Sequence, residues 1–459
     1  MKDQQNVTGR ITQLDSLLTA WIPPQDTWGP AGEALYRPVD LFRVPLEEGR
    51  AMQLKAIKHA FARQYKHNGF YHEYCETEGV SPSDIKTDDD LFKIPLVPDV
   101  TFKQYPEGRD FARWLAAIFT GELPKIVIEG RNPTFDDVIN AFNASGVVVT
   151  FSSGTSGRFT FIPRDQKTYL ASSYASTKAF INMWNGYEPT ANGCLLFPNP
   201  RKTNLYVGKA STVYFDIMSD VLVPIDRELT TSVIKAAMTA DPRTQEAGPR
   251  GQDQGQQRTI DMIIGWLERN DEKRQRISII GAPYLLYAVM DKLQGDGKSF
   301  DFGERGAVAS GGGWKISEDA RLSARDFRKR VRDVLGIPEN CCFDVYTMVE
   351  GNGWMMHCPE GHYLHAPYTY FKPFVLDENL TPADYGEWGR FAFLDGLAES
   401  YPGFIITGDE VCMYEHCPVC DRPGPVLEPE VKRAKGEEVR GCSEEVRRIF
   451  AQTLQRGSH

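Results

Sequence analysis

The stretch Thr150-Phe151-Ser152-Ser153-Gly154-Thr155-Ser156-Gly157-Arg158 lies between two apolar runs, Val147-Val148-Val149 and Phe159-Thr160-Phe161-Ile162. Its reading decides the fold. The valine run predicts a strand leading into the loop, and the small residues let the backbone of the loop wrap a phosphate. Main-chain N–H groups would form an anion nest, the hydroxyls of Ser152, Ser153, Thr155 and Ser156 can donate to phosphate oxygens, and Arg158 supplies a charge. The Gly-Lys-Ser/Thr ending of the common nucleotide loop is absent. Taken alone, the same residues also describe a Ser/Gly-rich surface turn.

Outward from this loop the chain keeps an α/β rhythm. Cys194-Leu195-Leu196-Phe197 and Ile277-Ser278-Ile279-Ile280 read as strands, whereas Ile260 to Glu268 and Ala320 to Leu335 read as helices. Residues 1–80 form a helical segment by periodicity, with Leu54, Ile57, Phe61 and Tyr65 on one face. Prolines and acids between Pro82 and Pro98 lead into a larger body, assigned to residues 81–424. The polar run around Gly248-Pro249-Arg250-Gly251, within 241–258, predicts an exposed, mobile connection. Residues 425–459 read as a tail, and Gly457-Ser458-His459 as the stub of a purification tag.

Composition bounds the function. A chain of 459 residues with 41% hydrophobic content can bury a large core and is expected to hold two or three substructures. The net charge is -10, without a long Lys/Arg run, which excludes a nucleic-acid footprint and favours a small anionic or neutral substrate. No apolar stretch approaches the roughly 20 residues of a membrane helix, and Met1 to Arg10 is polar, so a cytoplasmic protein without a membrane span is expected. The nine cysteines are odd in number and crowd the last quarter, a pattern of metal binding or catalysis rather than of disulfides.

Three further segments follow the loop. Gly311, Gly312 and Gly313 come after Ala307-Val308 and suit close backbone approach to a flat ligand. Asp344-Val345-Tyr346-Thr347-Met348-Val349-Glu350 and Ile406-Thr407-Gly408-Asp409 complete the series. In this order the four segments resemble the motifs of the adenylate-forming enzymes, the superfamily of acyl-CoA synthetases, peptide-synthetase adenylation domains and luciferases. The resemblance implies a large N-terminal α/β domain of layered mixed sheets with a truncated C-terminal domain, and it implies ATP and Mg2+. It assigns the 152–157 loop and Arg158 to phosphate, the glycines, Tyr346 and Thr347 to adenine, Glu350 to magnesium and Asp409 to the ribose hydroxyls. The reaction implied is activation of a small-molecule carboxylic acid to an acyl-adenylate, followed by acyl transfer.

Gly311-Gly312-Gly313-Trp314-Lys315, Arg440-Gly441-Cys442 and the Asp89 to Pro98 segment are most similar to the acyl-protein synthetases of bacterial bioluminescence. Phenylacetate-CoA ligases are more distant, and the likeness covers roughly residues 65 to 445. It implies that Cys442 accepts the acyl group. Arg440 and a helix start at Ser443-Glu444-Glu445 would favour its thiolate, while Glu444 and Glu445 oppose it. Most superfamily members continue into a mobile domain that carries an adenylation lysine. Here Lys432, Arg433 or Lys435 is expected to neutralise the phosphate charge instead. Ile406 departs from the arginine that phenylacetate-CoA ligases place before Thr-Gly-Asp.

A metal-like constellation stands beside these motifs. Cys417-Pro418-Val419-Cys420 is a knuckle, and Cys358, His362 and His365 offer the other half of a tetrahedral zinc site. Resemblance to zinc-containing relatives of phenylacetate-CoA ligase implies Cys358, His365, Cys417 and Cys420, in a structural module near 355–422, with His357, His362 and His416 as substitutes. Two other functional readings remain: a ligase that transfers directly to coenzyme A, a carrier protein or an amine, and a catalytically silent, zinc-stabilised binding subunit.

Overall fold

The computed structural model describes residues 2–153, 158–184, 187–239, 249–311, 322–434 and 448. Strand β1 is Val97–Pro98, and β2 (Val147–Ser153) and β3 (Phe159–Asp165) form an antiparallel hairpin in register from Val147 opposite Asp165 to Ser153 opposite Phe159. Phe151, Phe159 and Phe161 pack edge-on and tilted against one another, and Tyr105, Phe111 and Phe135 cover Phe161. That aromatic packing fixes the base of the loop that the hairpin carries.

The main sheet is mixed. Strands β4 (Asn192–Leu196), β5 (Val221–Leu222), β6 (Ile277–Gly281), β7 (Gly306–Ser310) and β8 (Cys342–Tyr346) are parallel, in the order β5-β4-β6-β7-β8. Every residue of β6 and β7 is buried, as expected where helices cover both faces of a parallel sheet. The helices Pro249–Glu272, Pro283–Gly295 and Ala324–Leu335 supply one cover, packing Ile263, Trp266, Leu286, Val289, Val331 and Leu335 against it. Helix Gln166–Met183 lies in the other core and is buried over almost its whole length.

Beyond β8 the sheet turns antiparallel. It continues through β9 (Met355–His357), β10 (Leu364–His365), β14 (Val426–Leu427), β13 (Phe404–Tyr414), β12 (Trp388–Asp395) and β11 (Phe371–Leu376). Strand β15 (Lys432–Arg433) joins β13 antiparallel, and β1 joins it in parallel. The α/β architecture with a large mixed sheet is the one the sequence predicts.

Helices Lys2–Leu17, Pro30–Tyr36, Leu46–His67 and Gly69–Glu78 occupy the N-terminal segment. They share the main core rather than packing by themselves: Ile57 and Phe61 are fully buried there. The Gln53 amide donates to the carbonyls of Tyr368 and Phe371 at 2.9 Å each, and the Gln64 amide to those of Ala398 and Tyr401 at 2.7 and 2.8 Å. One expectation fails. Residues 249–258, read as a loose connection, are the first turns of helix Pro249–Glu272. Gln and Arg are good helix formers and Pro249 stands at the first helical position, so a polar run of this composition continues a helix and is not a loop. Residues 240–248 lie outside the described residues.

Candidate active site and metal centre

The end of β8 and the middle of β13 bring two sequence motifs together. The Tyr346 hydroxyl donates to Asp409 Oδ2 at 2.7 Å, and Arg433 Nη1 sits 2.8 Å from Asp409 Oδ1. Burial pushes the Tyr346 phenol well up, and the Asp409 carboxylate adds to the shift. Thr407, Gly408 and Asp409 lie on a register shift between β12 and β13, where pairing jumps from Ala392 opposite Ile406 to Arg390 opposite Glu410. A bulge of this kind re-aims side chains at a strand edge. Thr407 Oγ1 holds it, donating to Phe391 O at 2.9 Å and accepting from Asp409 N at 3.1 Å.

The pairing of Val97 and Pro98 with Ile405 and Ile406 carries the following turn, Asp99–Lys103, to the same edge. A Cβ on Gly408 would stand 3.7 Å from Asp99 Oδ2 and 3.5 Å from Arg433 Nη1. Lys103 Nζ is 2.5 Å from Asp99 Oδ2. Glu350 follows β8 and is buried. Burial raises its carboxyl to about 7; Lys103 and a Thr160 hydrogen bond oppose that rise, and Asp99 reinforces it. The result is an acid-rich pocket edge with two cations beside it, able to hold a cation and a phosphate together.

Of the sequence-predicted residues, Ser152 is half-buried at the end of β2, Ser153 closes that strand, and Arg158 is exposed at the start of β3. Gly154, Thr155, Ser156, Gly157, Gly312, Gly313, Lys435 and Cys442 lie outside the described residues. Gly311 N donates to Gly281 O at 3.1 Å, at the C-terminal ends of β6 and β7, and Thr347 follows Tyr346 directly with its hydroxyl buried. Neighbours on a strand point to opposite faces, so while Arg433 meets Asp409, Lys432 Nζ sits 3.6 Å from the centroid of the exposed Trp388 ring. Asp99, Lys103 and Thr160 were missed. The acid and lysine four residues apart in Pro98-Asp99-Val100-Thr101-Phe102-Lys103 were the only available signal.

The second constellation lies where the β9–β10 and β13–β14 turns meet. One ligand atom from each of Cys358, His365, Cys417 and Cys420 falls within 4.8 Å of the others. Cys358 Sγ is 4.0 Å from Cys417 Sγ, and Cys420 Sγ is 3.4 Å from His365 Nε2. The edges of a tetrahedron with metal–sulfur bonds of about 2.3 Å measure about 3.8 Å, close to these two separations, and the three sulfurs and one imidazole are a donor set that suits zinc. Cys358 is pushed up by its bond to Cys420 and by burial, and Cys420 is held down by Cys358 and His365. A divalent cation would let all three sulfurs ionise. Arg422, buried against Glu360 at 2.7 Å, offsets the extra negative charge. The substitutes are elsewhere: His357 Nδ1 accepts from Asp344 N at 3.2 Å, and His416 is exposed beside Glu415.

The fold places the chain in a structural class, that of 2-hydroxyisobutyryl-CoA ligase. Two structures of 2-hydroxyisobutyryl-CoA ligase match it, one in an open conformation with 2-HIB-AMP and CoA and one in the postadenylation state with 2-HIB-AMP. Both have a TM-score of 0.58, with 15% and 14% identity over 91% and 93% of this chain and 76% and 78% of theirs. Within that class the particular likeness is to the family "Acyl-protein synthetase, LuxE", whose profile matches residues 258–451. The long-chain-fatty-acid–luciferin-component ligase of Vibrio harveyi is 24% identical over 97% of this chain and 96% of its own length. That of Aliivibrio fischeri is 23% identical over 86% and 88%.

Proposed function

We propose that the protein activates a carboxylic acid with ATP and passes the acyl group to a thiol or amine. The observation that carries this reading is the meeting of Tyr346, Asp409 and Glu350 where β8 and β13 approach one another, beside the strands that lead into and out of the 152–157 loop. In the first step a carboxylate oxygen attacks the α-phosphorus of ATP, the bond to the pyrophosphate oxygen breaks, and pyrophosphate leaves. The protein's task there is to position reactants and neutralise charge. Ser152, Ser153, Gly154, Thr155, Ser156, Gly157 and Arg158 would hold the phosphates; Gly311, Gly312, Gly313, Tyr346 and Thr347 the adenine; and Asp409 the ribose. Magnesium, held by Glu350, would supply charge neutralisation on the phosphates. Lys103, which acts electrostatically on Glu350, and Arg433, paired with Asp409, are cations beside these carboxylates and could take the role assigned to Lys432 or Lys435.

In the second step a thiolate attacks the acyl carbon, the bond to the phosphate oxygen of AMP breaks, and AMP leaves with the electron pair. Cys442 is the proposed nucleophile, with a partner protein, coenzyme A or an amine as final acceptor. Long-chain fatty acids are the first substrates to test, because the Vibrio harveyi and Aliivibrio fischeri relatives are named for them. Zinc on Cys358, His365, Cys417 and Cys420 would be structural, since the four protein donors leave no open position. ATP–pyrophosphate exchange with C8 to C18 acids, followed by intact-mass measurement, tests the proposal. Acid-dependent exchange and a hydroxylamine-labile adduct lost in Cys442→Ser are expected. Unchanged acyl transfer in Cys442→Ser would favour direct transfer to an external acceptor, and no exchange with any acid would favour a silent binding subunit.

A further inference from the structure

Arg164, near the end of β3, is 1% exposed, yet among the described residues no carboxylate lies directly on its guanidinium. Its Nε donates to Asn352 Oδ1 at 3.0 Å and its Nη1 to Thr150 Oγ1 at 3.1 Å. Nη2 reaches Val349 O at 2.6 Å, the Tyr401 hydroxyl at 3.2 Å and Gly351 O at 3.4 Å. Burying a charge costs several kcal/mol unless its hydrogen bonds are made, and a well-packed apolar side chain in its place is often at least as stable. The arrangement therefore calls for a reason beyond packing.

The partners supply it. Val349 and Gly351 flank Glu350, and the carbonyl of Glu350 itself accepts from the Tyr401 hydroxyl at 3.0 Å. Asn352 is held in turn by Asp395 Oδ2, which accepts from Asn352 N at 2.6 Å and Nδ2 at 2.9 Å. Three consecutive backbone carbonyls around the buried carboxylate are thus gripped by two side chains, while the same guanidinium reaches Thr150 on β2, the strand leading into the 152–157 loop. Tyr206 and Tyr401 rings, 5.4 and 5.0 Å away, close the space around it.

We infer that Arg164 is a positioning residue for adenylation, locking the Glu350 turn to the root of the phosphate loop so that cation and phosphates are held in one geometry. This rests on the activity proposed above. Arg164 touches no substrate in this account; it acts through Glu350 and through β2. An ångström of misplacement in such a site costs about a hundredfold in rate.

The test is ATP–pyrophosphate exchange by the full chain with whichever of the C8 to C18 acids supports the fastest exchange, titrated with Mg2+, for wild type, Arg164→Lys and Tyr401→Phe. Lysine keeps the charge but cannot reach Thr150, Asn352 and two carbonyls at once. Arg164→Lys is expected to lower kcat about a hundredfold and raise the Mg2+ concentration for half-maximal exchange about tenfold. Its KM for the acid should stay within about twofold of wild type, and excess Mg2+ should restore part of the rate. Tyr401→Phe, which loses one hydroxyl and keeps the ring, should move both quantities the same way by less, and it carries the test if Arg164→Lys does not fold. Leu335→Ala, in the other core, should lower Tm without moving the Mg2+ dependence. An Mg2+ dependence unchanged in both network variants, or moved equally by Leu335→Ala, overturns the inference. Absence of exchange in the wild type overturns the activity reading and this inference with it.

Discussion

Lys103 and Lys178 are both lysines withdrawn from solvent, and their surroundings give them different uses. Lys103 has Asp99 at 2.5 Å and lies within electrostatic reach of Glu350 and Arg433, so its proton is kept and its charge faces the site. Lys103→Met should reduce pyrophosphate exchange about a hundredfold or more, as loss of one preorganised charge does elsewhere, while far-UV circular dichroism stays that of wild type. Lys178 instead caps the carbonyls of Leu35 and Tyr36 at 2.8 and 3.3 Å, and burial pushes it down to about 7. An amine whose folded value lies below its unfolded value of 10.5 binds fewer protons folded than unfolded between those limits. Stability from this residue therefore rises with pH from about 7 towards 10.5, by about 1.4 kcal/mol per unit at most, and the burial penalty is complete below 7. The Tm of Lys178→Met relative to wild type should be highest below pH 7 and fall as pH rises to 9.5. A difference that grows with pH would contradict this assignment.

At the scale of elements, the two hairpin turns that meet at Cys358, His365, Cys417 and Cys420 bring four candidate metal ligands together beside the strands between β8 and β13. The apolar cluster beneath them is small, formed by Cys358, Cys417 and Val426 with Tyr363, Tyr414 and Cys420 against it. Elemental analysis should find about one zinc per chain, and Cys417→Ser should lose it together with several degrees of Tm. Retention of both would remove the structural role. The sequence exposed this site because the Cys417–Cys420 knuckle and the earlier Cys358 and His365 pair are each short, local signals. Tyr346, Glu350 and Asp409 were legible for the same reason, each lying in a short motif. Asp99 and Lys103 were not, because they reach the site through the pairing of β1 with β13, far away along the chain. Arg164 was hidden more completely: its partners are mainly backbone carbonyls and amide oxygens 185 residues or more along the chain, apart from Thr150. Helix Pro249–Glu272 was misread at its start because a Gly- and Gln-rich composition was weighted above helix propensity.

For the molecule as a whole, the helices of the first eighty residues, the β2–β3 hairpin and the antiparallel strands share one core, which is why a buried network can join the loop to the Glu350 turn. Among the described residues no helix is long and apolar enough to cross a membrane. The central claim is that this core assembles a site for making an acyl-adenylate. It is tested most directly by acid-dependent ATP–pyrophosphate exchange in wild type and Glu350→Gln, a change that keeps the volume of the buried side chain and removes its charge. The account predicts exchange that requires a carboxylic acid and Mg2+, lost by a hundredfold or so in Glu350→Gln at a Tm no lower than that of wild type. Equal exchange by the two proteins, or none by a wild type that binds ATP across the C8 to C18 acids, would contradict it.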